Sequence, residues 1–242
     1  MDDPRPKIRL FIDAPLSEGS EIVLERDAAN YLFNVLRLET GAEIAGFNGS
    51  EGEWRCLVLE AGKRRGLLRA VSRLRPPSPP PDLWLLFAPL KKARTDFVVE
   101  KAVEMGARRL CPVFTRFTNS ERVRTDRLRA QAIEAAEQCG LVYVPEIAEP
   151  APLSVLLSGW PRDRRLYFCD ETKTGTAFAA VIEPGPGAIL VGPEGGFAAE
   201  EAEHIRQHPA AVPVSLGPRI LRAETAALAA LAIWQSVAGD WA

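Results

Sequence analysis

A third of the way along the chain, the six residues Pro76-Pro-Ser-Pro-Pro-Pro81 hold five prolines. Proline fixes φ and has no backbone donor, so neither a helix nor an interior strand can run through such a stretch. It reads as an extended, fairly stiff connector. The chain is therefore expected to fold as two bodies, residues 1–75 and 82–242, joined by a linker at 76–81. Its 242 residues suffice for one large or two modest domains.

The two bodies read differently. Before the prolines, short runs at Arg9–Ile12, Glu43–Phe47, Trp54–Leu59 and Gly66–Leu74 read as strands, with turns at Asn48-Gly49-Ser50 and Ala61-Gly62. One helix is expected over Asp27–Leu38, with Asp27 as N-cap. Many short strands and one helix suggest a small β-barrel. After the prolines, strands are expected at Leu83–Ala88, Leu110–Phe114, Leu166–Cys169, Ala188–Val191 and Val212–Leu216. They alternate with helices at Thr95–Met105, Thr125–Cys139, Ala199–Gln207 and Glu224–Val237. Thr95 or Asp96 caps the first of these helices and Gly106 ends it. Such alternation points to a parallel α/β sheet. The final helix is apolar almost all round, so more than one face is expected to be buried, one on a pocket and another on a second subunit.

Charge is spread unevenly. The net is −2, yet residues 62–129 carry 17 Lys and Arg against 6 Asp and Glu, and the remainder 13 against 26. The densest stretch, Gly62–Arg75, holds six bases and no acid. Such asymmetry fits a polyanion-binding face, and equally a solvated basic face. No apolar run approaches the roughly 20 residues that span a bilayer. The start of the chain lacks the apolar core of a signal peptide, so a cytoplasmic location is expected. Cys56, Cys111, Cys139 and Cys169 are scattered, which argues against zinc and for buried reduced thiols. His204 and His208 share a helix face at metal-pair spacing, but no third ligand is in view and Arg206 lies between them, so no metal is expected.

Two glycine-bearing loops carry the chemistry. Leu190-Val-Gly-Pro-Glu-Gly-Gly-Phe197 and Ser215-Leu-Gly-Pro-Arg-Ile-Leu-Arg-Ala-Glu-Thr-Ala226 each follow an expected strand and lead into a helix. Glycine lets a ligand approach the main chain, and amides at a helix start can bind polar groups. If the two strands are neighbours, the loops make one pocket at the C-terminal edge of a parallel sheet. Neither loop has dinucleotide or P-loop glycine spacing. Glu194 would repel a phosphate, so a neutral or cationic ligand suits the pocket better.

Gly192-Pro-Glu-Gly-Gly-Phe197, followed by Leu216-Gly-Pro-Arg-Ile-Leu-Arg-Ala-Glu-Thr-Ala226, resembles the signature pair of the ribosomal RNA small subunit methyltransferase E family. Further similarity lies at Lys7–Phe11, Asn30–Leu38 with Gly41, Ala88–Lys91, Glu100–Gly106, Glu134–Gln138 and Val144–Glu146. The resemblance implies an N-terminal PUA-like RNA-binding β-barrel and a SPOUT α/β domain with a C-terminal trefoil knot. It implies S-adenosylmethionine as cofactor, N3 of a uridine in 16S rRNA of the small ribosomal subunit as target, and a homodimer. The knot rests on resemblance alone, since threaded chains are rare. Ala223 stands where many members carry threonine, and Leu141 where arginine is frequent, which removes a positive charge from a helix end.

The same resemblance distributes roles. Gly192, Pro193, Glu194, Gly195, Gly196, Leu216, Gly217, Ile220, Leu221 and Thr225 are the expected cofactor contacts. Arg9, Arg37, Lys63, Arg64 and Arg65 are the expected RNA contacts. Uracil N3 is a protonated imide nitrogen, so methylation needs an exposed base, a proton acceptor and stabilisation of charge on the flanking carbonyls. Arg222 and Arg219 are the candidate cations and Glu194 the candidate acceptor. Glu224 ranks lower, because a carboxylate in the first turn of a helix already serves the helix dipole. Two other readings stay open: a non-catalytic RNA-binding protein, and a ribose 2′-O-methyltransferase of the same superfamily.

Overall fold

Residues 5–119, 122–172 and 175–241 are described by a computed structural model of the chain. The chain divides into two units, Met1–Pro79 with Ala136–Val144, and Pro80–Ala135 with Pro145–Ala242. Sequence reasoning assigns 136–144 to the second body; here that short segment groups with the first.

The first unit is built on one sheet. Its strands are β1 (Arg9–Phe11), β2 (Glu21–Leu24), β3 (Glu43–Phe47), β4 (Glu53–Ala61) and β5 (Gly66–Arg75), in the order β1-β3-β4-β5-β2. β1 pairs with β3 in parallel and the other pairs are antiparallel. Alternation buries Ile22, Leu24, Ile44, Val58, Leu68 and Ala70 on one core, with Leu32 from the helical segment. Sequence reasoning missed β2, although its Glu-Ile-Val-Leu alternates exposed and buried.

The expected helix over Asp27–Leu38 is two pieces. A short α1 (Arg26–Ala29) has Glu25, not Asp27, at its N-cap, and it runs into a π-helical turn at Asn30–Val35. Arg37 ends the turn with φ 56°, a left-handed conformation that usually falls to glycine, and Leu38 N–H donates back to Leu32 O at 2.9 Å.

Arg9 and Arg75 converge on the fully buried Glu53 of β4, with bonds of 2.7, 2.8 and 2.9 Å. The same guanidinium groups donate to backbone carbonyls of Ala136, Glu137, Gly140 and Leu141. Arg9 also lies 4.5 Å from the centre of the Phe47 ring. Burial pushes the Glu53 carboxyl up, but the bonds and charges of Arg75 and Arg9 outweigh it and hold the group below its ordinary value. Arg9, expected as an RNA contact, is thus engaged within the protein itself. Leu141 takes part through its carbonyl, so the change of side chain there leaves this contact alone.

The second unit is an all-parallel sheet flanked by helices. In chain order its elements are β6 (Leu83–Phe87), α2 (Lys92–Glu104), β7 (Arg109–Phe114), α3 (Thr125–Cys139), β8 (Glu146–Ile147), β9 (Ala151–Pro152), α4 (Leu153–Ser158), β10 (Arg165–Cys169), β11 (Thr176–Ala177), β12 (Gly187–Val191), α5 (Ala199–Arg206), β13 (Ala211–Ser215) and α6 (Ala223–Ala238). Strand order is β11-β13-β10-β12-β6-β7-β8, with β9 beside β7. Central strands are apolar on both faces, as Leu85, Leu86, Leu110, Leu166, Phe168, Ile189 and Leu190 show. The α/β expectation holds for this unit.

Details differ from expectation. α2 begins one turn before Thr95, at Lys92. Thr95 is buried and bonds both Leu90 N–H and Leu90 O, while Asp96 pairs with Arg127. Gly106 does follow the helix, with φ 71°. Cys56 and Cys111 are buried as expected, but Cys169 is only half-buried and Cys139 is exposed. β12 and β13 are not neighbours, because β10 lies between them.

Candidate functional site

A cavity of ≈ 400 Å³ opens at the C-terminal ends of β12, β10 and β13. Its wall includes Gly192–Gly196 from the first loop and Leu216, Gly217, Arg219, Ile220, Leu221 and Arg222 from the second. Nine of the ten expected cofactor contacts lie in this wall; Thr225 is the exception, exposed on the first turn of α6.

The central strand adds residues that sequence reasoning missed. Cys169 ends β10 and Asp170 and Glu171 follow it; all three line the cavity, as do Val214 and Ser215 at the end of β13. They carry no glycine signature, and only the strand order brings them between the loops. Burial pushes the Cys169 thiol up to about 12, so it stays neutral. Burial also raises the Asp170 carboxyl, but bonds from Thr172 and Arg206 overcome this and keep it below its ordinary value. Asp170 accepts from Thr172 Oγ1 at 2.7 Å and from Arg206 Nε at 2.8 Å.

The glycines have local reasons. Gly196 takes φ 69°, and a Cβ there would lie 2.0 Å from Glu171 Oε1. That same oxygen accepts Phe197 N–H at 3.1 Å, tying the first loop to the end of β10. A Cβ on Gly192 would meet the Phe197 ring at 2.5 Å. Gly217 takes φ 109° with nothing within 4 Å of its would-be Cβ, so its main chain faces open space.

The acids share a cation that sequence reasoning did not single out. Arg94 of α2 donates to Glu194 Oε1 at 3.1 Å, and its Nε lies 3.6 Å from Glu224 Oε1. Arg94 thus gives the acid at 194 a folding role as well. Glu224 is mostly buried, and its Oε2 has no hydrogen-bond partner among the described residues. Arg219 and Arg222 are exposed, with no partner among the described residues. Arg222 occupies the N-cap position of α6 without making a side-chain cap bond.

The basic candidates form a separate surface on the first unit. Lys63, Arg64 and Arg65 are exposed on the β4–β5 turn, and Arg37 is exposed after the π-helical turn. A hollow lined by Phe33, Asn34, Leu38, Glu39, Thr40, Ala61, Gly62 and Lys63 lies beside both. Arg69 pairs with Glu21, and Arg75 with Glu53. No cluster of potential metal ligands occurs among the described residues. His204 is exposed, and the His208 ring sits against Trp160 and the Leu157 carbonyl.

Comparison with known proteins places these features in a family. The RNA methyltransferase domain matches residues 77–235, and the RNA methyltransferase PUA domain matches residues 24–71. The ribosomal RNA small subunit methyltransferase E of Rickettsia conorii is 30% identical over 228 residues, covering 93% of each chain. A methyltransferase of Legionella pneumophila, solved with bound S-adenosylmethionine, is 28% identical with TM-score 0.89, covering 98% of this chain and 100% of its own. The ribosomal RNA small subunit methyltransferase E of Neisseria gonorrhoeae, bound to S-adenosylmethionine, is 26% identical with TM-score 0.88, covering 97% and 99%. With the sheet order, the two glycine loops and these matches in agreement, the chain belongs to the ribosomal RNA small subunit methyltransferase E family.

Proposed function

We propose that this protein transfers a methyl group from S-adenosylmethionine to N3 of a uridine in 16S rRNA, acting on the small ribosomal subunit. The observation that carries the reading is the ≈ 400 Å³ cavity walled by both glycine loops. Its size lies in the usual range for small-molecule sites. Asp170, Glu171 and Glu194 line it, which suits a sulfonium cation and disfavours a phosphate. S-adenosylmethionine supplies an electrophilic methyl group; the chain's own residues hold it and present the base.

In this reading the main chain of Gly192–Gly196 and Leu216–Gly217 holds the cofactor. Ile220 and Leu221 wall its adenine. Arg222, exposed at the mouth of α6, donates to the uracil carbonyls as negative charge develops there, and Arg219 serves as a second donor or a phosphate contact. Arg37, Lys63, Arg64 and Arg65 contact rRNA phosphates from the first unit.

The boundaries at 75 and 82, the trefoil knot and a cytoplasmic place of action belong to the same proposal. So does a homodimer through the region of α6, where Val237 and Trp241 remain 43% and 53% exposed. Mass spectrometry of rRNA nucleosides from a deletion strain, with and without the restored gene, tests the function. Loss and return of N3-methyluridine in 16S rRNA is the expected result. An unchanged nucleoside profile overturns it.

A further inference from the structure

The geometry points to Glu224 as the group that removes the N3 proton, with Arg94 as the positioning residue that holds it beside the cavity. The inference rests on the methyl-transfer reading above and names a catalytic residue within it. Three observations carry it.

The first is that Glu194 is already engaged. Its Oε1 accepts from Arg94 Nη1 at 3.1 Å, which accounts for its charge. The second is that Glu224 is only loosely held. Arg94 Nε stands 3.6 Å from its Oε1, beyond hydrogen-bond distance, and its buried Oε2 has no partner among the described residues. Serving the helix dipole needs no such burial, because an exposed carboxylate in the first turn does it as well. An unsatisfied buried carboxylate oxygen is costly and marks a place where a donor arrives. The third is position. Glu224 is not itself in the cavity wall, but Arg222, Ala223 and Ala226 on the same turn of α6 are, and Arg222 is the proposed donor to the uracil carbonyls.

An imide N–H is the donor that such an oxygen lacks. Uracil carries a hydrogen on N3 and cytosine does not, so the same contact selects the base. In the reaction, the Glu224 carboxylate takes the N3 proton, and the nitrogen lone pair forms a bond to the methyl carbon. The carbon–sulfur bond breaks, and its electron pair neutralises the sulfonium to a thioether. Glu224 then returns the proton to water. The charged groups nearest it are Arg94 from α2, which also holds Glu194 of the first loop, and the exposed Arg222 two residues before it in the chain.

The test compares the full-length wild type with Glu224→Gln, Glu224→Asp and Glu194→Gln. Calorimetry measures S-adenosylmethionine affinity, filter binding measures 30S affinity, and single turnover on 30S subunits is followed across pH. Glu224→Gln should keep both affinities and lose about 10²–10⁴-fold in turnover. Its remaining rate should climb with unit slope in log rate against pH, because only imide ionised in solution can then react, whereas the wild type stays flat through neutral pH. Glu224→Asp should recover part of the rate. Glu194→Gln should weaken cofactor binding without tilting the pH profile.

A loss in Glu224→Gln that is equal at every pH, a loss explained by weaker cofactor binding, or a tilt in Glu194→Gln instead would each overturn the inference. A wild type that neither binds the cofactor nor methylates 30S subunits would overturn the proposed function itself, which separates the two failures.

Discussion

Glu53 tests how the first unit holds together. Its side chain is fully buried, and Arg9 and Arg75 contribute three bonds of 2.7–2.9 Å to it. Those side chains are only 11% and 29% exposed, so water compensates their charges poorly, Arg9 above all, if the carboxylate is removed. Glu53→Gln keeps the shape and deletes the charge. Breaking a buried pair in this way typically costs about 3–5 kcal/mol, because the partner charge is left uncompensated. The sign with pH follows from the direction of the shift. The folded group titrates below its ordinary 4.5, so its stabilisation is complete above that value and is lost as pH falls through the folded value. Amide exchange in β4 and β5 reads this unit alone. At neutral pH the protected amides should exchange about 10²–10⁴-fold faster in the variant. The gap between variant and wild type should close in acid. A gap under about tenfold at neutral pH, or one that persists unchanged in acid, would refute the reasoning.

Three further outcomes are expected. Gly195→Val should abolish S-adenosylmethionine binding by calorimetry and leave the fold intact by circular dichroism, since the nearest atoms to a Cβ there belong to the Phe117 side chain, at 3.3 Å and beyond. Replacing Lys63, Arg64 and Arg65 together by alanine should reduce the slope of log RNA affinity against log salt, because phosphate contacts release counterions; an unchanged slope makes the turn a solvated face. Arg222→Ala should bind cofactor normally and turn over 30S subunits about 100–1,000-fold more slowly at saturation, and near-normal turnover would show that the exposed arginine plays no part in the chemistry.

Much of this architecture is legible in the chain. β3 is read to the residue, and β4, β5, β10 and β12 nearly so, because alternation and apolar runs are local signals. Helix starts are read to the residue at α3 and α5 and within one at α6, but not at α2. Thr95 looks like a cap and instead anchors the preceding loop to Leu90, while α2 starts at Lys92 with no capping side chain at all. The segment after Asp27 carries helical periodicity, and nothing in it announces the π-helical turn or the left-handed Arg37. Arg9 sits in a basic, RNA-binding family and reads as a phosphate ligand. Its long-range meeting with Glu53 and the 136–141 carbonyls is not written in any local pattern.

The candidate site divides along the same physical line. Its glycine loops are contiguous in sequence, so their residue types identify them directly. Its acids are not. Glu194 and Glu224 are thirty residues apart and look independent until Arg94, a hundred residues before Glu194, reaches both. Asp170 and Glu171 enter because β10 is laid between β12 and β13, an order that no local pattern encodes. Charge in this site is shared between elements, whereas the sequence rank of Glu194 above Glu224 weighs each acid against its own neighbours in the chain. The partner that decides between them lies on another element. Arg94 gives Glu194 a hydrogen bond and leaves Glu224 Oε2 without a partner among the described residues, and the proposed division of roles rests on that difference.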